Sequence, residues 1–387
     1  MRIEPSPPPV RLGLLRLTDA APVFLAEAQG LFAAEGVAVR LSVEPSWANL
    51  ADKLAFGLLD AAVMLPPLAI AVALGLRGPA ATPLLVPSGL SLNGNAVVLA
   101  RELAEAALGG GSPAAAPAPL EVGRRLRACL ASRPRRRPRL AVVHAFSTHD
   151  LLLRYWLAAS GIDPERDVAI TVVPPAETAA ALAAGRIEGF CAGAPWGAVA
   201  ERAGVGRAVL PSSAIWRNHP EKCLAIATGW AEAAPEALQA LLRALLRAGA
   251  RCDDPAGAGA LADLLAEPER VGVPADLIAA RLPVGVEAES RSVFAAHAAG
   301  FPWRSHARWF AAQMARWRPL PADTAARAER LYRPDLHARA ARAVGLLVPL
   351  ADRKVEGGHN HPWELPAEPA PIPMRPDGFC DGARFEG

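Results

Sequence analysis

Three times before residue 68, a short apolar run passes directly into a helix start, and this repeated junction constrains the fold more than any other feature of the chain. Val10 to Leu17 reads as a strand, followed by Thr18-Asp19-Ala20-Ala21-Pro22, a helix start with a capping side chain and an early proline. That helix is expected to run to Gly36. Val39 to Val43 leads into Ser46-Trp47-Ala48-Asn49, which opens a helix closed by Gly57, and Asp60 to Leu65 breaks at Pro66-Pro67 into a third. Such alternation predicts βαβ units and a parallel sheet. In an open parallel sheet these junctions share one edge, where ligands bind, and helix N-termini there offer unpaired N–H groups that favour an anion.

A second series follows. Asn93-Gly94 is a turn signal before the extended run to Leu99. Leu103 to Leu120, with Gly109-Gly110-Gly111-Ser112-Pro113 and a Pro/Ala run, reads as a flexible linker. Arg133 to Arg139 reads as a solvated, proline-stiffened loop and a candidate surface for an acidic partner. Leu140 to Ala145 is a strand, Ser147-Thr148 a cap, and His149 to Ala159 a helix closed by Gly161. Val168 to Val173, Ile187 to Ala192 and Cys223 to Ala227 are further strands, and Thr228 caps a helix to about Ala248. The chain is then mostly helical to Leu350, with Ala307, Phe310, Met314 and Trp317 as a core stripe. Two lobes with a small-molecule cleft are the expectation. The first lobe comprises residues 1–95 and 223–350, the second residues 96–222, and 351–387 form a wrapping tail.

Composition narrows the function. Hydrophobic residues make up 52% of the 387 and charged residues 20%, which excludes a disordered solvating chain. A net charge of +3 names neither a nucleic-acid nor a membrane partner. Lysine occurs only at Lys53, Lys222 and Lys354 among 41 basic residues, so each lysine is a candidate for a site that needs an ammonium. The five cysteines are odd in number and lack C-x-x-C spacing, which suggests reduced thiols. An acidic residue and a proline run stand at the N-terminus where a secretory signal needs a basic start and an apolar stretch. No run reaches the roughly 18 apolar residues of a membrane span, and the expected compartment is the cytoplasm. Nucleophile-elbow, zinc-protease, phosphate-loop and dinucleotide motifs are absent, so no enzymatic role, cofactor or metal is expected.

Certain side chains stand at the predicted sheet edge. Trp47 begins a helix, Asn95 follows the Asn93-Gly94 turn, His149 lies in a first helical turn, Gly193 ends a strand before Pro195, and Lys222 precedes an apolar strand. Read by position alone, each has a structural alternative as a core, capping, turn or surface residue. Asp19 reads as a helix cap, because a carboxylate facing an anion site repels its occupant.

The segments Leu17-Thr18-Asp19-Ala20-Ala21-Pro22, Ser46-Trp47-Ala48-Asn49, Ser91-Leu92-Asn93-Gly94-Asn95-Ala96, Ser147-Thr148-His149-Asp150, Arg154-Tyr155-Trp156-Leu157 and His219-Pro220-Glu221-Lys222, in that order, resemble the nitrate-binding family of substrate-binding proteins. Phe301-Pro302-Trp303-Arg304-Ser305-His306, Gln313-Met314 and Arg316-Trp317 extend the likeness, which covers about residues 10–350. The resemblance implies an α/β fold of the periplasmic-binding-protein-like type II, two lobes with a ligand cleft between them and a helical C-terminal region. It also implies an anion site at Trp47, Asn95, His149, Gly193 and Lys222, with asparagine at 95 where transporter receptors commonly carry glutamine. On that basis Lys222 is expected to supply the compensating charge, His149, Asn95 and the Gly193 N–H the directed donors, and Trp47 a wall against water. The family includes receptors of ABC importers for nitrate, nitrite and bicarbonate, whose partner is an ABC permease. It also includes a cytosolic branch, the NasS-type nitrate/nitrite sensors, which hold a NasT-like RNA-binding antiterminator until the anion arrives. The absent signal and unpaired cysteines direct the expectation to that branch. An enzyme of the same fold, as in thiamine-pyrimidine synthesis, would bring a cysteine-rich motif that this sequence lacks.

Overall fold

The structure, a computed structural model, describes residues 8–78, 80–109, 117–132, 137–282 and 290–386. Ten strands build two mixed sheets: β1 (Val10–Leu14), β2 (Val39–Val43), β3 (Ala61–Met64), β4 (Leu84–Gly89), β5 (Asn95–Ala100), β6 (Arg139–Val142), β7 (Ala169–Val172), β8 (Gly189–Gly193), β9 (Gly206–Pro211) and β10 (Cys223–Ala227). The first sheet has the order β2-β1-β3-β10-β4 and the second β7-β6-β8-β5-β9. Each carries helices on its faces, so the expected two-lobed periplasmic-binding-protein-like α/β fold is what the chain adopts.

The expectation of purely parallel sheets is corrected. β10 runs antiparallel to β3 and β4, and β5 runs antiparallel to β8 and β9. The reason lies in the path between lobes. β1, β3, β6 and β8 end at the cleft, whereas β5 and β10 each enter their lobe from the cleft and therefore run the other way. The two crossovers pair with each other: the Leu90 N–H donates to Lys222 O at 2.8 Å, the Glu221 N–H to Ser91 O at 2.9 Å and the Asn93 N–H to His219 O at 3.0 Å. Asn93 and Gly94 both take positive φ, 61° and 91°, which is the tight turn their dipeptide predicts.

Local chemistry fixes the junctions. Ser46 caps the helix Trp47–Ala55 by accepting from the Asn49 N–H at 3.2 Å, and Ser147 caps Thr148–Ala159 by accepting from the Asp150 N–H at 3.0 Å. The first helix is shorter than expected. A 3-10 turn at Thr18–Ala20 precedes Ala21–Ala28, and Gly30, at φ 66°, interrupts the run before Leu31–Ala34. No side chain caps this first junction. The long helix expected from Thr228 divides into Thr228–Ala233 and Pro235–Cys252, because Pro235 has no N–H with which to continue the ladder.

The flexible linker expected over Leu103 to Leu120 is corrected where the structure describes it. Arg101–Leu108 is a helix burying Leu103, Ala104 and Ala107, and a second helix begins at Pro119. Leucine, alanine and glutamate at helical spacing outweigh the neighbouring glycines; residues 110–116 lie outside the described residues. Of the arginine block, 133–136 lie outside them too. Arg137 donates through Nε to Val168 O at 3.1 Å, and Arg139 pairs with Glu188 at 3.4 Å, so both stitch the sheet edge.

Ala307, Phe310 and Met314 are fully buried, with Trp317 packed at the margin of the same core. From Ala351 onward the chain first packs on the first lobe's C-terminal region, where Leu365, Ile372 and Met374 meet Phe301 and Trp303, and its last residues reach the return crossover and the second lobe. The Arg217 N–H donates to Gly378 O at 3.0 Å, the Cys380 N–H to Ile215 O at 2.8 Å, and the Tyr155 hydroxyl to Asp381 at 2.9 Å. Lys354 anchors this stretch between Glu356 and Asp377, 3.2 Å from the latter.

Candidate anion-binding site

All five residues named from the sequence meet at the edge where the lobes face each other. Trp47 comes from the first lobe, His149 and Gly193 from the second, and Lys222 from the end of the return crossover, while Asn95, expected as the last residue of the first lobe's opening part, is instead the first residue of β5 in the second sheet. The Lys222 ammonium is fully buried and sits 5.5 Å from the centroid of the Trp47 ring, a cation–π distance. Gly193 marks the centre. A Cβ built there meets Asn95 Oδ1 at 3.4 Å, Asp19 Oδ2 at 3.5 Å and His149 Nε2 at 3.7 Å. In the antiparallel β5–β8 ladder the Ala194 N–H donates to Gly94 O at 2.9 Å, so alternation turns the Gly193 N–H away from β5 and toward β6. The helix Thr148–Ala159 follows β6, which brings its first turn to that side.

Two carboxylates belong to the site that the sequence reading left out. Asp19 Oδ2 lies 2.8 Å from Lys222 Nζ. Glu221 also bonds Lys222 and accepts a hydrogen bond from Asn95 Nδ2. Asp19 is therefore no helix cap. The bend at Thr18–Ala20 lets its side chain turn into the cleft, where Lys222 compensates the carboxylate that the repulsion argument excluded. Lys222, expected to supply the compensating charge, is already paired with both of these carboxylates. Glu221 had a legible signal in the charged pair Glu221-Lys222, next to an apolar strand. Asp19 had only its place at a sheet-edge junction.

The electrostatics follow from burial and pairing. Burial alone would depress the Lys222 ammonium, yet attraction by Asp19 and Glu221 prevails and holds its pKa above the ordinary value. Burial likewise pushes Glu221 upward, but Lys222 and then His149 and His219 reverse this, leaving its carboxylate at about 2. Asp19 goes the other way: burial raises its pKa, and Lys222 offsets only part of the rise. Burial lowers His149 to about 3, so its imidazole is neutral at physiological pH.

Several buried polar atoms of these residues and their chain neighbours have no protein partner. His149 Nδ1 and Nε2, Asn95 Oδ1, Trp47 Nε1 and the hydroxyls of Thr18 and Thr148 each lack one. Since buried polar groups are overwhelmingly hydrogen-bonded in folded proteins, such a set marks a place built for a polar ligand. The lobes also touch beside it, with the Thr18 N–H donating to Ala194 O at 3.1 Å.

Two α/β lobes joined by paired crossovers and closed over convergent buried polar groups define a substrate-binding protein of the periplasmic-binding-protein-like class. The chain belongs to the NMT1-like family, whose profile matches residues 4–266. It is 31% identical over 399 residues to the nitrate/nitrite binding protein NrtA of Synechococcus elongatus, covering 97% of this chain and 86% of that protein. It is 34% identical over 346 residues to the nitrate import ATP-binding protein NrtC of Synechocystis sp. PCC 6803, where it spans 86% of this chain and about half, 50%, of the longer relative. The crystal structure of the periplasmic nitrate-binding protein NrtA from Synechocystis PCC 6803 superposes with a TM-score of 0.82 at 28% identity, over 97% of this chain and 95% of that one.

Proposed function

We propose that the chain binds nitrate or nitrite between its lobes, at Trp47, Asn95, His149, Gly193 and Lys222. The observation that carries this reading is the convergence of two unpartnered buried atoms, His149 Nε2 and Asn95 Oδ1, on Gly193, in a cluster that holds a fully buried ammonium. A small trigonal oxyanion suits that cluster. Its oxygens accept from the His149 ring, the Gly193 N–H and the Thr18 and Thr148 hydroxyls, while Lys222 offsets its charge and Trp47 excludes water. Relatives named for nitrate and nitrite support the choice of ligand. Because both lobes contribute contacts, the anion favours the closed form through its higher affinity for it.

The role we propose is that of a cytoplasmic sensor: anion-driven closure releases an RNA-binding antiterminator of the NasT-like kind. Five unpaired cysteines support this, since free thiols suit a reducing compartment. A second reading, a receptor that delivers the anion to an ABC permease, is favoured by relatives that bear the names of import components. Among the described residues no helix is long and apolar enough to cross a membrane. Calorimetry with nitrate, nitrite and bicarbonate tests the ligand, and silence toward nitrate and nitrite refutes it. Nitrate-dependent release of a purified antiterminator supports the sensor; an unaltered complex, with nitrate-dependent stimulation of a permease–ATPase pair, supports the receptor.

A further inference from the structure

The charges around Gly193 do not sum to a site for a bare anion. Asp19 and Glu221 oppose a single buried ammonium, Lys222, and His149 is neutral. Of the three side-chain atoms nearest the Gly193 Cβ position, Asn95 Oδ1 and Asp19 Oδ2 are acceptors, and only the His149 ring can donate. Nitrate and nitrite offer acceptors alone. An anion oxygen resting against a carboxylate oxygen needs a proton between them.

Resting on the reading of the site as a nitrate or nitrite pocket, we propose that Asp19 is a ligand-contact residue that takes a proton from solvent as the anion enters and donates it as an O–H···O hydrogen bond to an anion oxygen. One O–H bond forms at Asp19, no bond of the anion breaks, and one anion and one proton are bound together. The buried charge then stays as it was: the anion's negative charge replaces the one that Asp19 gives up. Without that proton the same burial would hold one more uncompensated negative charge, which a low-dielectric interior resists.

Asp19 suits this part better than its neighbours. Glu221 receives Lys222 and the Asn95 amide together, an arrangement that requires its charged form. His149, in the first turn of the helix Thr148–Ala159, is kept neutral chiefly by its own burial, which outweighs the pull of Glu221, and Lys222 and the helix dipole add to that effect. Burial already moves the Asp19 carboxyl toward its protonated form. The remaining titratable groups around the cluster are His219, lowered by burial, and the Cys191 and Cys223 thiols, raised by it, so all three stay uncharged at neutral pH.

Calorimetric titration of the full chain with nitrate in phosphate and in Tris at pH 7 reads the number of protons bound, because the two buffers differ in ionisation enthalpy. The expected result is uptake of about one proton per nitrate, and a Kd that rises about tenfold per pH unit once Asp19 is ionised in the free protein. Asp19→Asn, which offers an N–H with no proton drawn from solvent, is expected to abolish both the uptake and the pH slope. Nitrate binding with no uptake overturns the proposal while leaving the site reading intact, and uptake that persists in Asp19→Asn overturns it too. An absence of nitrate binding at every pH from 5 to 8 overturns the site reading and this proposal together. The wild-type pH slope decides the matter even if Asp19→Asn does not fold.

Discussion

Replacing Lys222 by methionine keeps most of the apolar stem, one heavy atom shorter, and removes the ammonium with its charge and donors. In the native site that ammonium bonds Asp19 at 2.8 Å and Glu221 on its other side, with all three side chains buried. Removing one partner from a buried ion pair costs about 3–5 kcal/mol, since the remaining charge is left without compensation. Here two carboxylates are left, against a total stability of about 5–15 kcal/mol for an ordinary domain. The pH dependence separates this cause from lost packing. In the wild type, Glu221 is held at about 2, below its unfolded value, so its contribution is present above the unfolded pKa and is lost as pH falls toward 2. Without the ammonium, burial raises both carboxyls, so the deficit of Lys222→Met is greatest at pH 8 and shrinks toward pH 5 as they protonate. Urea unfolding at the two pH values measures this, and nitrate affinity at pH 8 is expected to fall at least about 100-fold, equivalent to about 2.8 kcal/mol. A variant that unfolds within about 0.5 kcal/mol of the wild type at both pH values, with nitrate binding retained, would refute the reasoning.

Gly193→Ala places a methyl at ordinary contact distances, 3.4–3.7 Å from Asn95, Asp19 and His149, where the ligand is expected. Nitrate affinity should drop at least about tenfold while the melting temperature stays near the wild-type value; a variant that binds normally would put the ligand elsewhere. Burial holds His144 and His337 near 4 and His149 near 3, so the native state refuses protons that the unfolded chain accepts below pH 6.5. Stability is therefore expected to fall as pH drops from 6.5 toward 4, by up to about 1.4 kcal/mol per pH unit for each of them, and a urea midpoint that is unchanged or higher at pH 5 than at pH 7 would contradict this. Lys354→Met strips the cation from Glu356 and Asp377 beneath the C-terminal stretch and should expose that stretch to limited proteolysis, whereas a wild-type digestion pattern would show that the anchor lies elsewhere.

The junctions were legible because their chemistry is local: Ser46 and Ser147 do as caps what their sequence positions predict. Strand direction was not, since β5 and β10 carry the same apolar pattern whichever way they run, and their direction depends on a path between lobes that no window of residues reveals. The glycines around 109–111 hid the amphipathic turn pairs Leu103 with Ala107 in the preceding helix, because loop composition and helical periodicity overlap there. The five site residues came through a family resemblance, and position alone left each with a structural alternative. The two carboxylates escaped for a physical reason. Pairwise intuition puts no acid near an anion, and only the assembled site shows one lysine shared between two acids, with Asn95 held by one of them.

A crystal structure of the protein grown with nitrate tests the central claim most directly. A single trigonal anion is predicted against Gly193, between Asn95 and His149, with an oxygen within about 3 Å of the His149 ring and another at hydrogen-bonding distance from Asp19. Nitrate bound elsewhere, with the Asp19–Lys222–Glu221 cluster unchanged and His149 still without a partner, would contradict it.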